Sequence, residues 1–157
     1  MKNTSLFFLV SLGVILLFSC TKGKKNSLQP ADFMIIGHMG GFVPYTSPFY
    51  KLTSSQLWED TTKYDYTHPL PADFANLNFN YQLSSSKFDS VKDLLSSIPA
   101  ELFGRNNTHI GGLFPDVGYT DVRASVNGVI YHWGFEADQS TSSTAIQQFV
   151  QRIKADY

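Results

Sequence analysis

The dipeptide Asn127-Gly128 is the feature of this sequence that most restricts its fold. It separates two runs of alternating apolar and polar residues within the segment YTDVRASVNGVIYHWGF. Asn-Gly is strongly preferred in two-residue hairpin loops, because both positions need a positive φ. Such a loop fixes the register, and it places Val126 opposite Val129 and the alternate residues, Ala124 and Tyr131, opposite each other. The segment therefore predicts an antiparallel hairpin with one apolar face.

The opposite face of this hairpin is predicted to be mostly exposed to water. Its side chains are Tyr119, Asp121, Arg123, Ser125, Ile130, His132 and Glu136. We expect His132 to lie exposed across from Arg123, with Asp121 within reach as its diagonal neighbour. One buried face and one wet face are typical of an antiparallel sheet that is covered on one side.

Two segments have the 3.6-residue spacing of amphipathic helices. In the first, Ser86 and Asp89 are similar to a capping box, and Pro99 is expected to end or kink the helix. Its apolar stripe comprises Phe88, Val91, Leu95 and Ile98. The second segment follows a Ser/Thr cluster at 140–144 that offers several N-caps. Its apolar stripe comprises Ile146, Phe149, Val150 and Ile153.

Short strands are predicted at 33–36, 49–52 and 78–83, and a long surface loop is predicted over 58–73. Together with the hairpin and the helices, they predict an α+β fold, an antiparallel sheet with two amphipathic helices packed on one face. The chain has 157 residues and is 43% hydrophobic, which gives room for one compact domain. We assign this domain to residues 30–157.

The first twenty residues resemble the leader of a bacterial lipoprotein. Lys2 precedes an uncharged apolar run from Leu6 to Phe18, which is too short for a permanent membrane-spanning helix. The run ends at Ser19-Cys20, and a small residue before a cysteine is typical of a lipobox. The resemblance implies removal of residues 1–19, a diacylglyceryl thioether on Cys20 and acylation of the new amino terminus. A plain secretory signal and an uncleaved anchor are the alternatives.

Residues 20–29 are polar and predict a flexible tether. Lys22, Lys24 and Lys25 either favour anionic headgroups or only keep the tether soluble. Residues 30–157 carry eight basic and thirteen acidic residues, a net charge of −5. The membrane, reached through the lipid on Cys20, is therefore an expected partner, and we expect the bacterial outer membrane as the location. The net charge of the whole chain is −1, which argues against a nucleic-acid partner.

Two segments share the pattern His-x-Gly-Gly-x-x-Pro. One begins at His38 and contains Gly40 and Gly41, and the other begins at His109. The favoured interpretation is a repeated use of turn chemistry, because Gly-Gly permits positive φ. The alternative is that the two loops meet at one site.

Such a meeting could form a metal-dependent active site from His38 and His109 with Asp116 or Asp121. Against it, the four histidines of the chain are scattered, and Cys20 is the single cysteine. The sequence contains no HExxH, P-loop, GxGxxG or Gly-x-Ser-x-Gly motif. We therefore predict no catalytic residues, no metal and no cofactor.

Aromatic residues are dense in the N-terminal half of the chain, among Ser, Thr, Pro and Asp. Loops of this composition stack on sugars or anchor a protein partner, and Tyr45 and Trp58 are the candidate contacts; at least half of the aromatic group is expected to fill the core. Two triplets, beginning at Asp60 and Asp89, resemble O-glycosylation sites of bacterial envelope proteins. They make Thr61 and Ser90 candidate acceptors.

The order of parts is similar to that of the emfourin-type bacterial metalloprotease inhibitors. The matching residues are Gly40-Gly41-Phe42, Leu94-Leu95, Pro115-Asp116, the 119–135 hairpin and the 146–153 helix. The resemblance implies the fold and, as an alternative function, proteinase inhibition. The favoured hypothesis is a lipid-anchored envelope protein that acts as a non-enzymatic binding or interaction module.

Overall fold

A computed structural model describes residues 29, 31–39, 48–62, 64, 77–112 and 118–157. Within these residues lie seven strands, two α-helices and two short 3-10 helices. The strands are β1 (Phe33–Met39), β2 (Phe49–Thr53), β3 (Leu57–Asp60), β4 (Phe79–Gln82), β5 (Thr108–Ile110), β6 (Tyr119–Val126) and β7 (Val129–Phe135). The helices are α1 (Ser85–Val91) and α2 (Thr144–Asp156), with 3-10 turns at Leu95–Ser97 and Ala100–Gly104.

All seven strands form one sheet in the order β4-β3-β2-β1-β6-β7-β5. The expectation of an α+β fold is confirmed, but the expectation of a purely antiparallel sheet is wrong. The strand β5 pairs parallel to β7, with His109 beside Gly134 and Ile110 beside Phe135. The sheet is therefore mixed, with its one parallel pair at an edge.

The predicted hairpin is confirmed in its turn and in its register. Val126 pairs with Val129, and the pairing continues through Val122 and Trp133. Asn127 has a φ of 53° and Gly128 a φ of 77°. Only residues that tolerate the left-handed region make this tight turn without strain, so the Asn-Gly pair sets the register of both strands.

One face of the sheet, which we call the Trp133 face, carries a single large apolar cluster. The strands contribute alternate residues to it, among them Met34, Ile36, Leu52, Val122 and Trp133. The same cluster contains all four residues of the predicted α2 stripe, Ile146, Phe149, Val150 and Ile153, each buried. The indole N–H of Trp133, which is fully buried, donates a hydrogen bond to the carbonyl of Leu102 at 2.9 Å.

The two helices begin at serine caps, as the sequence indicates for the second. Ser143 accepts a hydrogen bond from the amide of Ile146 and starts α2. In the mid-chain segment the cap is Ser84, which accepts from Lys87 N, and not the capping box predicted from Ser86. The helix α1 ends after Val91, and the chain continues in 3-10 turns, so the predicted single helix is interrupted.

The other face, which we call the Asp121 face, is less exposed than predicted. Asp121 and Glu136 are buried, at 2% and 4% exposure. On the other side of β1, a small second cluster of Ile35, Phe49, Tyr64 and Leu77 covers the same face. The prediction of a mostly wet face is therefore wrong, because buried carboxylates with hydrogen-bond partners replace exposed ones.

The predicted surface loop over 58–73 is also partly wrong. Trp58 lies in β3, which pairs with β2 and β4. Of the rest of that segment, the structure describes residues 59–62 and 64.

The antiparallel strands give the sheet two distinct ends. The turns at 54–56 and 127–128 lie at one, which we call the hairpin end, together with the first residue of β1, Phe33. Met39, Phe49, Asp60 and Tyr119 lie at the other.

Candidate functional site

A cavity of about 280 Å³ lies at the end of the sheet opposite the hairpin end. Three neighbouring strands and the last helix build it, so that residues far apart in the sequence meet there. Its lining comprises Ile36, Gly37, His38, Pro48, Tyr50, Thr120, Ile153, Lys154 and Tyr157. None of these nine described residues is acidic.

Two tyrosines form the aromatic part of the lining. The rings of Tyr50 and Tyr157 lie 4.8 Å apart between centroids and are tilted by 49°. The hydroxyl oxygen of Tyr157 is buried and has no hydrogen-bond partner among the described residues. A buried polar atom without a partner costs free energy, so this hydroxyl would gain from any hydrogen-bond partner that reached it.

Burial also controls the ionisation of these tyrosines. It raises the pKa of Tyr157, and the negative charge of Asp156 adds to the effect. Burial likewise raises the pKa of Tyr50, with a contribution from Glu59. Both phenols are therefore neutral at physiological pH and can donate hydrogen bonds.

His38 and Thr120 supply the polar strand groups of the cavity. They face each other in the β1–β6 register; Thr120 is buried, whereas His38 is exposed. The strand is held in place from its other side, where the Phe49 ring fills the space beside Gly37. A Cβ built on Gly37 would lie 2.0 Å from that ring, so only glycine fits next to His38.

A second group of polar side chains surrounds Gly134 on the Asp121 face. Nε2 of His132 lies 2.6 Å from a carboxylate oxygen of Asp121, which confirms the predicted diagonal pair. Nδ1 of His109 lies 2.7 Å from a carboxylate oxygen of Glu136. The His109 ring also covers Gly134, where a Cβ would meet it at 3.0 Å. His132 is half-buried and not exposed as expected.

These pairs explain how two acidic side chains are buried in this face. Each carboxylate accepts a hydrogen bond from an imidazole, and Arg123 Nε lies 3.4 Å from Asp121. The Tyr119 ring packs edge-on against His109, with 4.6 Å between centroids. Both histidines are thereby engaged within the sheet.

The structure does not bring His38 and His109 together. In the strand registers His109 shares a row with Gly134, Asp121 and Gly37, so His38, the next residue along β1, is on the opposite face. Two strands also separate them. Among the described residues no group of three or more His, Cys, Asp or Glu side chains is placed to hold a metal ion.

The remaining candidate residues are dispersed. Trp58 is half-buried, and its indole N–H donates to Gln56 at 3.2 Å. Thr61 is exposed and donates to Asn80, and Ser90 is exposed in α1 and donates to the carbonyl of Lys87. Five other candidates lie outside the described residues: Cys20 of the lipobox, Gly40, Gly41, Tyr45 and Asp116.

Sequence reasoning identified His38 but missed the rest of the cavity. Tyr50 was one of many aromatic residues, and Thr120 and Tyr157 have no local motif. Their meeting depends on the pairing of β1 with β2 and β6, which no short-range pattern encodes.

Comparison with models of known families, with curated proteins and with solved structures finds no match to this chain. In the described part of the chain, no helix has the length and apolar character needed to cross a membrane.

Proposed function

We propose that this chain is a lipid-anchored protein of the bacterial cell envelope whose domain binds a small polyhydroxyl ligand, such as one sugar residue of a glycan, without catalysing a reaction. The cavity beside His38, with the buried hydroxyl of Tyr157 that has no hydrogen-bond partner in the described part of the chain, is the observation that carries the binding proposal. The leader and Cys20 carry the anchoring proposal.

The size of the cavity supports a small ligand. Sites for drug-sized molecules have volumes of about 300–1,000 Å³, and this cavity is at the lower limit of that range. A single sugar residue suits such a volume better than a peptide segment does.

The chemistry of the lining supports a polyhydroxyl compound. Tyrosine rings offer apolar surface for the C–H groups of a sugar, and their hydroxyls offer hydrogen bonds. Thr120 and His38 add further donors and acceptors. Lys154 is the charged side chain of the described lining, so neutral and acidic sugars are favoured over cationic ones.

Binding is tested with the full lipidated chain in a zwitterionic detergent, titrated with glucose, galactose, N-acetylglucosamine and glucuronate. The variant Tyr157→Phe keeps the ring and removes the hydroxyl, and we expect it to weaken binding about three- to tenfold, the effect of one hydrogen bond. Tyr81→Phe is the matched control, because Tyr81 is exposed on β4 and does not line the cavity. If none of the four sugars binds, or if both variants bind like the parent, the cavity is not a sugar site.

Anchoring is tested separately by mass spectrometry of the mature protein. We expect an amino-terminal peptide that begins at Cys20 and carries a diacylglyceryl group and an acyl chain. An intact leader or a free thiol at position 20 would contradict the proposed anchor.

We also propose that α1 and α2 cover the same face of the sheet. Support comes from the main apolar cluster, in which Val91 of α1 and Ile146 and Ile153 of α2 join Trp133-face residues of the strands. In such an arrangement neither of the two described helices covers the Asp121 face.

Proteinase inhibition, implied by the emfourin resemblance, is a distinct hypothesis. It predicts that the protein slows a thermolysin-like enzyme when added in stoichiometric amounts. Unchanged proteolysis at high molar excess would remove it.

A further inference from the structure

The point at which the chain enters the sheet is fixed beside the β6–β7 turn. Asp32, the residue before β1, is 1% exposed, and its carboxylate accepts hydrogen bonds from Gln29 N and from Asn127 N, both at 2.8 Å. The contact with Asn127 joins residues 95 positions apart in the sequence. The segment that leads from Cys20 therefore meets the domain at its hairpin end.

The same end exposes two large aliphatic side chains. Val129 and Ile130, the first residues of β7, are 49% and 56% exposed, whereas the aliphatic residues of the main cluster are at most 9% exposed. Tyr81 is the other large apolar residue with comparable exposure in the described part of the chain. Because Val129 and Ile130 are adjacent in a strand, they point to opposite faces and form an apolar tip.

The turns around this tip carry no exposed carboxylate among the described residues. Their exposed residues are Ser54, Ser55, Arg105, Asn106, Asn107, Asn127 and Gly128, of which Arg105 alone is charged. None of them is acidic, although residues 30–157 carry a net charge of −5. The turns at this end therefore bring no exposed carboxylate against an anionic lipid surface, and that source of repulsion is absent there.

The length of the preceding segment brings this end to the bilayer. Twelve residues run from Cys20 to Ala31. Fully extended, they span at most about 40 Å, and as a flexible coil about 19 Å on average. A lipid on Cys20 would therefore hold the hairpin end within a few nanometres of the surface, at high effective concentration.

We propose that Val129 and Ile130 insert into the headgroup–acyl boundary of the membrane that holds Cys20. The partner is a lipid bilayer, and the proposal rests on the proposed lipid anchor. The cavity lies about 17 Å further along β1, five residues from Phe33 to His38, and so faces away from the lipid. Contact at one end and ligand binding at the other would give the domain a fixed orientation.

The test uses the full lipidated chain in vesicles of phosphatidylethanolamine and phosphatidylglycerol. A thiol-reactive fluorophore is attached at Ser55→Cys, an exposed turn position at the hairpin end. Acylation of Cys20 leaves the new cysteine as the reactive thiol. The matched control carries the fluorophore at Ala155→Cys, exposed near the cavity. Quenching by lipids with a nitroxide on the headgroup reports distance from the surface.

We expect quenching at position 55 to be at least threefold stronger than at position 155. Adding Val129→Ser and Ile130→Ser should reduce the difference at least twofold, while the protein still floats with the vesicles. Equal quenching at both positions, or no change in the double variant, would overturn the proposed contact. Protein that does not float, or that lacks acyl groups on Cys20, would instead contradict the anchor itself.

Discussion

The two faces of the sheet use the same strands to build two different interiors. The buried apolar side chains of the Trp133 face belong to one cluster of nineteen buried residues, and the side-chain hydrogen bond of Trp133 ends on a backbone carbonyl. On the Asp121 face, the apolar cluster has four buried residues, and the buried carboxylates of Asp60, Asp121 and Glu136 bind specific partners. The Trp133 face is stabilised by the close packing of apolar side chains. The Asp121 face depends more on hydrogen bonds that pair each buried carboxylate with a donor.

The difference shows how this mixed sheet tolerates buried polar residues. A buried carboxylate is costly unless hydrogen bonds replace water. Asp60 accepts from the hydroxyl of Tyr64 at 2.6 Å and from the amides of Thr62 and Asn78 at 2.8 and 2.9 Å. Asp60 is the last residue of β3. Its side chain therefore holds residues 62 and 64, which precede the segment 65–76, and residue 78, which follows it.

The largest loss of stability is expected when a buried side chain is removed from the Trp133 face. Trp133→Ala removes a fully buried indole and its hydrogen bond to Leu102, which should lower the free energy of unfolding by about 4 kcal/mol. Urea denaturation measures the loss. Trp58→Ala is the control, because Trp58 is half-buried on the other face and should cost far less. Equal losses would mean that the two interiors do not differ as described.

A loss of partners on the Asp121 face should rank second. Asp60→Ala leaves the Tyr64 hydroxyl and two amides without their acceptor, and we expect a loss of about 3 kcal/mol. Asp89→Ala is the matched control, because Asp89 is exposed and pairs with Lys92 at the surface. If both variants unfold at the same urea concentration, the hydrogen bonds of Asp60 do not hold this face together.

A gain in stability is expected at the edge of the Trp133 face. Tyr157 packs against the main cluster, and its buried hydroxyl lacks a partner among the described residues. Tyr157→Phe should therefore raise the free energy of unfolding by about 1 kcal/mol in the absence of ligand. The same variant is expected to bind sugar more weakly, so opposite signs in the two measurements would link the unpaired hydroxyl to binding. A loss of stability would show that the hydroxyl is satisfied.

The smallest effect concerns alkaline pH. Burial raises the pKa of Tyr64 to about 12, with a further contribution from its hydrogen bond to Asp60. The unfolded chain releases this proton near pH 10, before the folded protein does, so the stabilisation is complete below pH 10 and is lost as the pH rises to about 12. Tyr64→Phe should reduce the slope of unfolding free energy between these values. An unchanged slope would assign it to other groups, such as Tyr50 and Tyr157, whose pKa values burial also raises.

Local signals predicted some elements of the fold well and missed others for physical reasons. The predictions of the Asn127-Gly128 turn and of the α2 stripe, capped from the Ser/Thr cluster at 140–144, are confirmed, because each is decided by residues close in sequence. The parallel strand β5 was missed, since three residues gain their partners only when the sheet assembles. The predicted loop over 58–73 includes the last three residues of β3, because they adjoin a segment rich in turn formers.

The polar contacts of the candidate site also fall into those that local sequence predicts and those that depend on long-range strand pairing. The pairing of His132 with Asp121 followed from hairpin register, and the structure confirms it. The burial of Glu136 did not follow, because its partner His109 comes from β5. The cavity unites β1, β2, β6 and α2, so only His38 could be marked from the sequence, and its companions could not.

The position of β1 has a mechanical consequence. This central strand pairs with four residues of β2 on one side and seven of β6 on the other. A load applied between a lipid at the amino terminus and a ligand held at the far end would run along its axis. The load would act parallel to β1 and would shear its hydrogen bonds to β2 and β6. Many hydrogen bonds would then carry the load together. A domain anchored at this end could carry tension between a membrane and a bound polymer without unfolding from its amino-terminal end.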